Sequence, residues 1–172
     1  MNWENVRRED WIVGGLALLL ALDLLILSWF SFPSLSITIG STTIGASGSL
    51  TATDAPDGWL GILAVIAALL VILDLALERL SPETEVPAIE GSRTTTRFVL
   101  AGAAAVFMAL KFLFHLGHFS NLGIGFWLGA GLVGALLYFT AQARNAEGVA
   151  SSRPAEPPAQ AGRAGSAGPP SA

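Results

Sequence analysis

Asp23, Asp74 and Lys111 are ionisable residues set inside apolar runs long enough to cross a bilayer. A charge at that depth costs free energy, so it is neutralised, paired, or used to move protons or ions. His115 and His118 follow Lys111 at i+4 and i+7, on one helical face. With carboxylates such as Asp54 and Asp57 they suit a Zn²⁺ site or a sensor of external pH, although two imidazoles without a third fixed ligand make an incomplete set. Glu78 shares a helix face with Asp74, with Arg79 beside it and Arg97 at the start of the next apolar run. The plainer reading of each such pair is that it only sets helix register.

Other chemistry is excluded by what the chain lacks. It has no cysteine, which removes thiol catalysis, Fe–S ligation and Cys-based zinc sites. There is no Gly-x-Ser-x-Gly, no Walker-type loop and no His-Glu-x-x-His. A formal net charge of −4 opposes nucleic-acid binding. The expectation is a protein without catalytic residues or cofactor.

The elements that must position the charged residues are apolar helices. Of the 172 residues, 52% are hydrophobic and only 13% charged, about half the charged share of a soluble domain. The apolar residues fall in four windows, 11–30, 59–77, 98–116 and 124–141. At 1.5 Å rise per residue each matches a hydrocarbon core roughly 30 Å thick. The predicted fold is therefore an all-α integral membrane protein, a four-transmembrane-helix bundle over residues 1–145. The first window follows Arg7 and Arg8 as a signal peptide would, but its run is too long and residues 31–34 offer no small-x-small cleavage site, so it reads as a retained anchor.

Every arginine precedes window one, lies between windows two and three, or follows window four, and the connections 31–58 and 117–123 contain no Lys or Arg. The positive-inside rule then places both termini in the cytoplasm of a plasma (inner) membrane. In the outer loop 31–58, Leu35, Ile37 and Ile39 alternate with Ser36 and Thr38, and Thr- and Ile-rich stretches follow with Gly between them. This predicts two or three short strands packed on the helix ends. Residues 54–58 supply turn chemistry and an N-cap for the second span. The tail 146–172 is rich in Ala, Pro, Gly and Ser and is predicted to be disordered. Trp3, Trp11, Trp29, Trp59 and Trp127 read as an interfacial aromatic belt. Gly125 and Gly129, with Gly131, Gly134 and Ala135 nearby, predict close packing of span four against span three, with homodimerisation through the same face as the alternative.

Depth sorts the charges. Asp23 falls ~4 Å and Lys111 ~6 Å to the outer side of the span midpoints, whereas Asp74 falls ~9 Å to the inner side. The prediction is an Asp23–Lys111 ion pair in the outer half and an inner cluster of Asp74, Glu78, Arg79 and Arg97.

The segments Leu27-Ser28-Trp29-Phe30, Leu73-Asp74-Leu75-Ala76-Leu77-Glu78-Arg79, Lys111-Phe112-Leu113-Phe114-His115 and Gly125-Phe126-Trp127-Leu128-Gly129 together resemble a group of small four-span integral membrane proteins of actinobacteria. The resemblance covers residues 11–144 and implies bilayer location without an activity. The functional expectation is a small structural or accessory protein of the cell envelope, embedded in lipid and meeting partners through its outer loop and tail. The alternative is a subunit of a small transporter or channel using Asp23, Lys111 and His115, which would need an oligomer to enclose a pore.

Overall fold

A computed structural model of the chain describes residues 8–39, 41–54, 57–80, 89 and 92–152. Among them are four α-helices, α1 (Arg8–Ile26), α2 (Gly58–Leu80), α3 (Arg93–Phe114) and α4 (Ile124–Ser151). Two antiparallel strands, β1 (Ser28–Ile39) and β2 (Thr42–Thr51), follow α1, and a 3-10 turn (Leu116–Asn121) separates α3 from α4. α2, α3 and α4 are each long and apolar enough to cross a membrane. α1 is 19 residues long, opens on Arg8, Glu9 and Asp10, and carries Asp23 near its end.

Each helix packs on its neighbour in chain order, and α4 closes the ring on α1. The inward positions recur at helical spacing. They are Val13, Ala17, Leu20 and Leu24 on α1; Leu60, Ala64, Ala68, Val71 and Leu75 on α2; Ala101, Ala104 and Met108 on α3; and Val133 and Leu136 on α4. Much of this core is alanine. The outward faces carry larger apolar groups, among them Leu18, Leu22, Ile66, Leu70, Val106, Leu113 and Leu128. Small residues inside and branched apolar residues outside suit helices that associate by close approach within lipid.

The outer loop forms a two-stranded hairpin, as expected, but its strands are 12 and 10 residues long rather than short. Pro33, with no amide to donate, falls where the register is irregular between Phe32 and Leu35. The base of the ribbon is fixed to the α3–α4 connection by a bridge between Phe30 and Leu122 and by the Gly123 amide donating to the Trp29 carbonyl at 2.7 Å. This pairing ends α1 at Ile26, short of the expected helical end at residue 30.

Trp29 is the largest fully buried side chain, 1% exposed, and stacks edge-on against Phe126 at 5.6 Å. It belongs to the core rather than to the interfacial belt, because the chain turns into β1 at Ser28 and carries the indole inward. Trp11, Trp59 and Trp127 remain exposed.

A further difference concerns α4. The helix continues past the expected boundary at 145 to Ser151, since Ala141, Gln142, Ala143, Arg144, Ala146 and Glu147 are good helix formers. Its Arg144 guanidinium lies over the Phe98 ring at 5.4 Å, which ties the extension to α3. The rest of the tail, most of the 81–91 connection and Trp3 lie outside the described residues. Gly125 and Gly129 pack on the end of α1 and the start of β1 as well as on α3, a Cβ at Gly125 falling 2.9 Å from Leu27 Cβ. Gly131 and Gly134 have open space around them.

Where α2 meets β2 the backbones nearly touch. A Cβ on Gly61 would lie 2.0 Å from the Ala52 carbonyl oxygen, and neither group is a movable side-chain tip. Gly61→Ala should therefore lower stability by about 3 kcal/mol, whereas Gly131→Ala should cost nothing. Thermal unfolding of both variants in one detergent checks this, and a Gly61→Ala protein that melts with the parent would sink the close-approach account.

Candidate functional site

The buried polar groups gather at the two ends of the bundle. At one end lie the N-termini of α1 and α3 and the C-termini of α2 and α4. Arg97, one turn into α3, is 8% exposed and donates from Nε to Asp74 Oδ2 at 2.5 Å. Its Nη2 also donates to Glu78 Oε2, so one guanidinium bridges two carboxylates on successive turns of α2. Arg79 reaches across to Asp10 on α1, and its charge also acts on Glu78. Ser92 caps α3, accepting from the Thr95 amide, and Ser92 and Thr94 both donate to Glu147 on α4. Depth bookkeeping brought Asp74, Glu78 and Arg97 to one level, but it missed Asp10, whose level at the start of α1 matches that of Arg79 at the end of α2. Glu147 was missed because it lies beyond the apolar window.

This end opens into a cavity of about 650 Å³ among all four helices. It reaches inward to Val13, Phe139 and Thr140, and its walls include neither Asp23 nor Lys111.

At the hairpin end, Asp23 is 2% exposed and accepts a hydrogen bond from the Trp29 indole at 3.4 Å. Its other carboxyl oxygen is buried without a hydrogen-bond partner among the described residues. α4 presses on it so closely that a Cβ on Gly129 would sit 2.6 Å from Oδ2. Lys111 is also 2% exposed, and its ammonium donates to the Asp54 carbonyl at 3.4 Å, with Asp54 and Asp57 as the nearby opposite charges. The expected Asp23–Lys111 ion pair is therefore not formed. The long lysine side chain carries its charge toward the boundary, where the 54–57 loop supplies acceptors, and leaves Asp23 to the indole.

His115 caps the end of α3. Its Nδ1 lies 2.9 Å from the Lys111 carbonyl oxygen, its Nε2 lies 3.8 Å from Asp57, and its ring packs on Phe30 at 4.8 Å. The side chain of His118 lies outside the described residues. Among the described residues no three His, Asp or Glu side chains gather at metal-binding distance. Asp54 turns back on β2 instead of capping α2. The Thr51 amide donates to its carboxylate at 2.7 Å and the Thr51 hydroxyl at 3.0 Å. These bonds hold the Asp54 carboxyl below the usual carboxylate range, and the Lys111 charge acts in the same direction.

Between the two ends the described core is apolar: Ala17 and Leu20, Ala67 and Val71, Ala101 and Ala104, Val133 and Leu136. Along α3 the distance from Arg97 to Lys111 is ~20 Å. The charges thus form two separate clusters rather than a relay. No protein-family model matches the chain, and no curated protein or solved structure is similar to it.

Removing Arg97 leaves Asp74 buried without its counter-charge. Arg97→Met should destabilise the bundle by about 3 kcal/mol, and adding Asp74→Leu should recover part of that loss. A double-mutant cycle in detergent checks it, and strictly additive effects would show that the pair is not coupled. The Asp54 anchor has the sign of a depressed carboxylate. Its contribution is complete above the ordinary aspartate value of about 4 and is lost as the pH falls further, through the lower folded-state value. Amide exchange at Thr51 should accelerate in that acid range, and Asp54→Asn should abolish the pH dependence.

Proposed function

We propose that this chain is a small four-span integral membrane protein of the bacterial plasma membrane, structural or accessory in role. Its termini lie in the cytoplasm and its hairpin on the outer face. One observation carries the reading: the buried cations Arg97 and Lys111 close on partners within the chain at opposite ends of the bundle, with an apolar core between them. Such contacts fix helix register and depth, and they leave no ionisable stepping stone for a proton or ion.

Two features support α1 as a fourth span beside α2, α3 and α4. It completes the ring of helices, and its outward face exposes Leu18, Leu19, Leu22, Leu25 and Ile26, residues that lipid would cover. The orientation rests on charge. Arg8, Arg79, Arg93, Arg97 and Arg144 belong to the end that carries the cavity, and Lys111 is buried beneath the loop at the other. The hairpin stretch 28–53 contains no charged residue, which suits a segment that meets an envelope component rather than bulk water. Transport through Asp23, Lys111 and His115 gains no support from the cavity, which stops short of all three.

Because the chain is free of cysteine, single cysteines report topology directly. A membrane-impermeant maleimide should label Ser49→Cys in intact cells and Asn145→Cys only after permeabilisation, and the reverse pattern would overturn the orientation. Proteoliposomes holding the chain should keep a pH gradient as long as protein-free vesicles do. A proton leak that Asp23→Asn abolishes would replace the architectural reading with transport.

A further inference from the structure

The hairpin end of the bundle holds a hydrogen-bond mismatch at His115. The ring sits where three elements meet: it ends α3, packs on Phe30 at the base of β1, and faces Asp57 at the start of α2. Its Nδ1 lies 2.9 Å from the Lys111 carbonyl oxygen, which can only accept, so Nδ1 carries the ring proton. In the neutral ring Nε2 then presents a lone pair. That lone pair faces Asp57 Oδ2 at 3.8 Å, acceptor against acceptor, across a gap wider than a hydrogen bond.

The charged groups around the ring are few. Lys111 on the same helix gives its ammonium to the Asp54 carbonyl, and the Asp54 and Asp57 carboxylates act on it from the turn before α2. That ammonium opposes a second cation nearby, and the two carboxylates offset it. The hairpin stretch 28–53 and the 124–131 stretch of α4 contain no charged residue. Asp23 on α1 is held by the Trp29 indole. In the 3-10 turn the titratable residue is His118. Asp57 thus stands opposite Nε2, and its side chain is only partly buried, which leaves it room to move toward the ring.

We propose that His115 is a proton-operated latch: a second proton, taken up on Nε2, turns the mismatch into a charge-assisted N–H···O bond to Asp57 and ties the end of α3 to the start of α2. The pull acts on a tight joint. Asp57 directly precedes Gly58, where a Cβ would fall 2.1 Å from the Thr53 carbonyl oxygen. Phe30, against the ring, is bridged to Leu122. Closing the latch therefore draws α2, α3 and the base of the hairpin together. The bond exists only while the imidazole is protonated and Asp57 is ionised, so it forms on acidification and is lost as the pH rises. In the orientation proposed above, the latch reads the pH outside the cell. Its chemistry does not depend on that orientation.

The test uses the full chain in nanodiscs. His118→Gln leaves His115 as the single histidine, so its ring nitrogens are read directly by ¹⁵N NMR. The Nδ1–H tautomer is expected at about pH 8, and protonation of both nitrogens at about pH 5. Over the same interval the melting temperature of the parent should rise by about 3 °C relative to His115→Gln. Asp57→Asn should abolish that rise, whereas Asp57→Glu, which keeps the carboxylate, and Glu147→Gln, at the other end of the bundle, should retain it. An Nε2–H tautomer at the higher pH, a parent whose pH response matches that of His115→Gln, or a response that survives Asp57→Asn would each overturn the proposal. The tautomer and the His115→Gln comparison decide the matter if Asp57→Asn fails to fold.

Discussion

Close approach of helix backbones is the constraint on which the rest of this structure depends. In lipid, apolar side chains gain little by leaving one hydrocarbon surface for another, so helices must associate by packing and by polar contacts. The alanines of α1, α2 and α3 and the glycines of α4 let the four axes come together. The same rule extends to the connections. Gly58 and Gly61 admit carbonyls of the β2–α2 turn, and Gly123 admits the Ser28 carbonyl. The hairpin is therefore seated on the helix ends by backbone contacts, and this seating stops α1, buries Trp29 and delivers an indole N–H to Asp23.

Once the helices are that close, buried charge has few places to go. Arg97 suits its position because a planar guanidinium serves two carboxylates at once and stays charged. Lys111 suits its own because a long, narrow stem crosses a tight layer and sets the ammonium under a loop rich in acceptors. Asp23 has neither option. Its side chain is short, α4 covers it at Gly129, and the group it reaches is the indole of Trp29. The three charges that interrupt the apolar runs thus have three separate solutions, each dictated by side-chain length and by what the local backbone presents.

Side-chain depth was legible in the sequence, and lateral direction was not. Residue counting from span midpoints brought Asp74, Glu78 and Arg97 to one level, and they do meet. The same counting placed Asp23 and Lys111 at similar depths, but depth fixes one coordinate of three. It did not include the 54–57 loop, whose carbonyl and carboxylates compete for the lysine. Alternating Ile and Thr revealed the strands, while the clamp of Phe30 on Leu122 depended on a long-range pairing that no local pattern encodes. Trp29 misled because tryptophan at the end of an apolar run usually marks an interface. α4 ran past its apolar window because hydropathy locates the lipid-facing segment and not the end of the helix, which Ala and Glu can carry into water.

The two ends of the bundle also differ in what they leave unused. At the hairpin end the cation is enclosed and the strands are uncharged, while Asp54 and Asp57 lie in the loop above Lys111. At the arginine-rich end the guanidiniums of Arg79 and Arg97 are absorbed by carboxylates on the neighbouring helices. Arg79 and Arg97, which concentrate positive charge at this end, also neutralise acids on the neighbouring helices. What remains after these pairings is a polar space, closed inward by Val13, Phe139 and the apolar core. That asymmetry follows from the packing itself. A bundle packed through its middle places its residual polarity at the ends, and here the arginine-rich end holds a cavity of about 650 Å³.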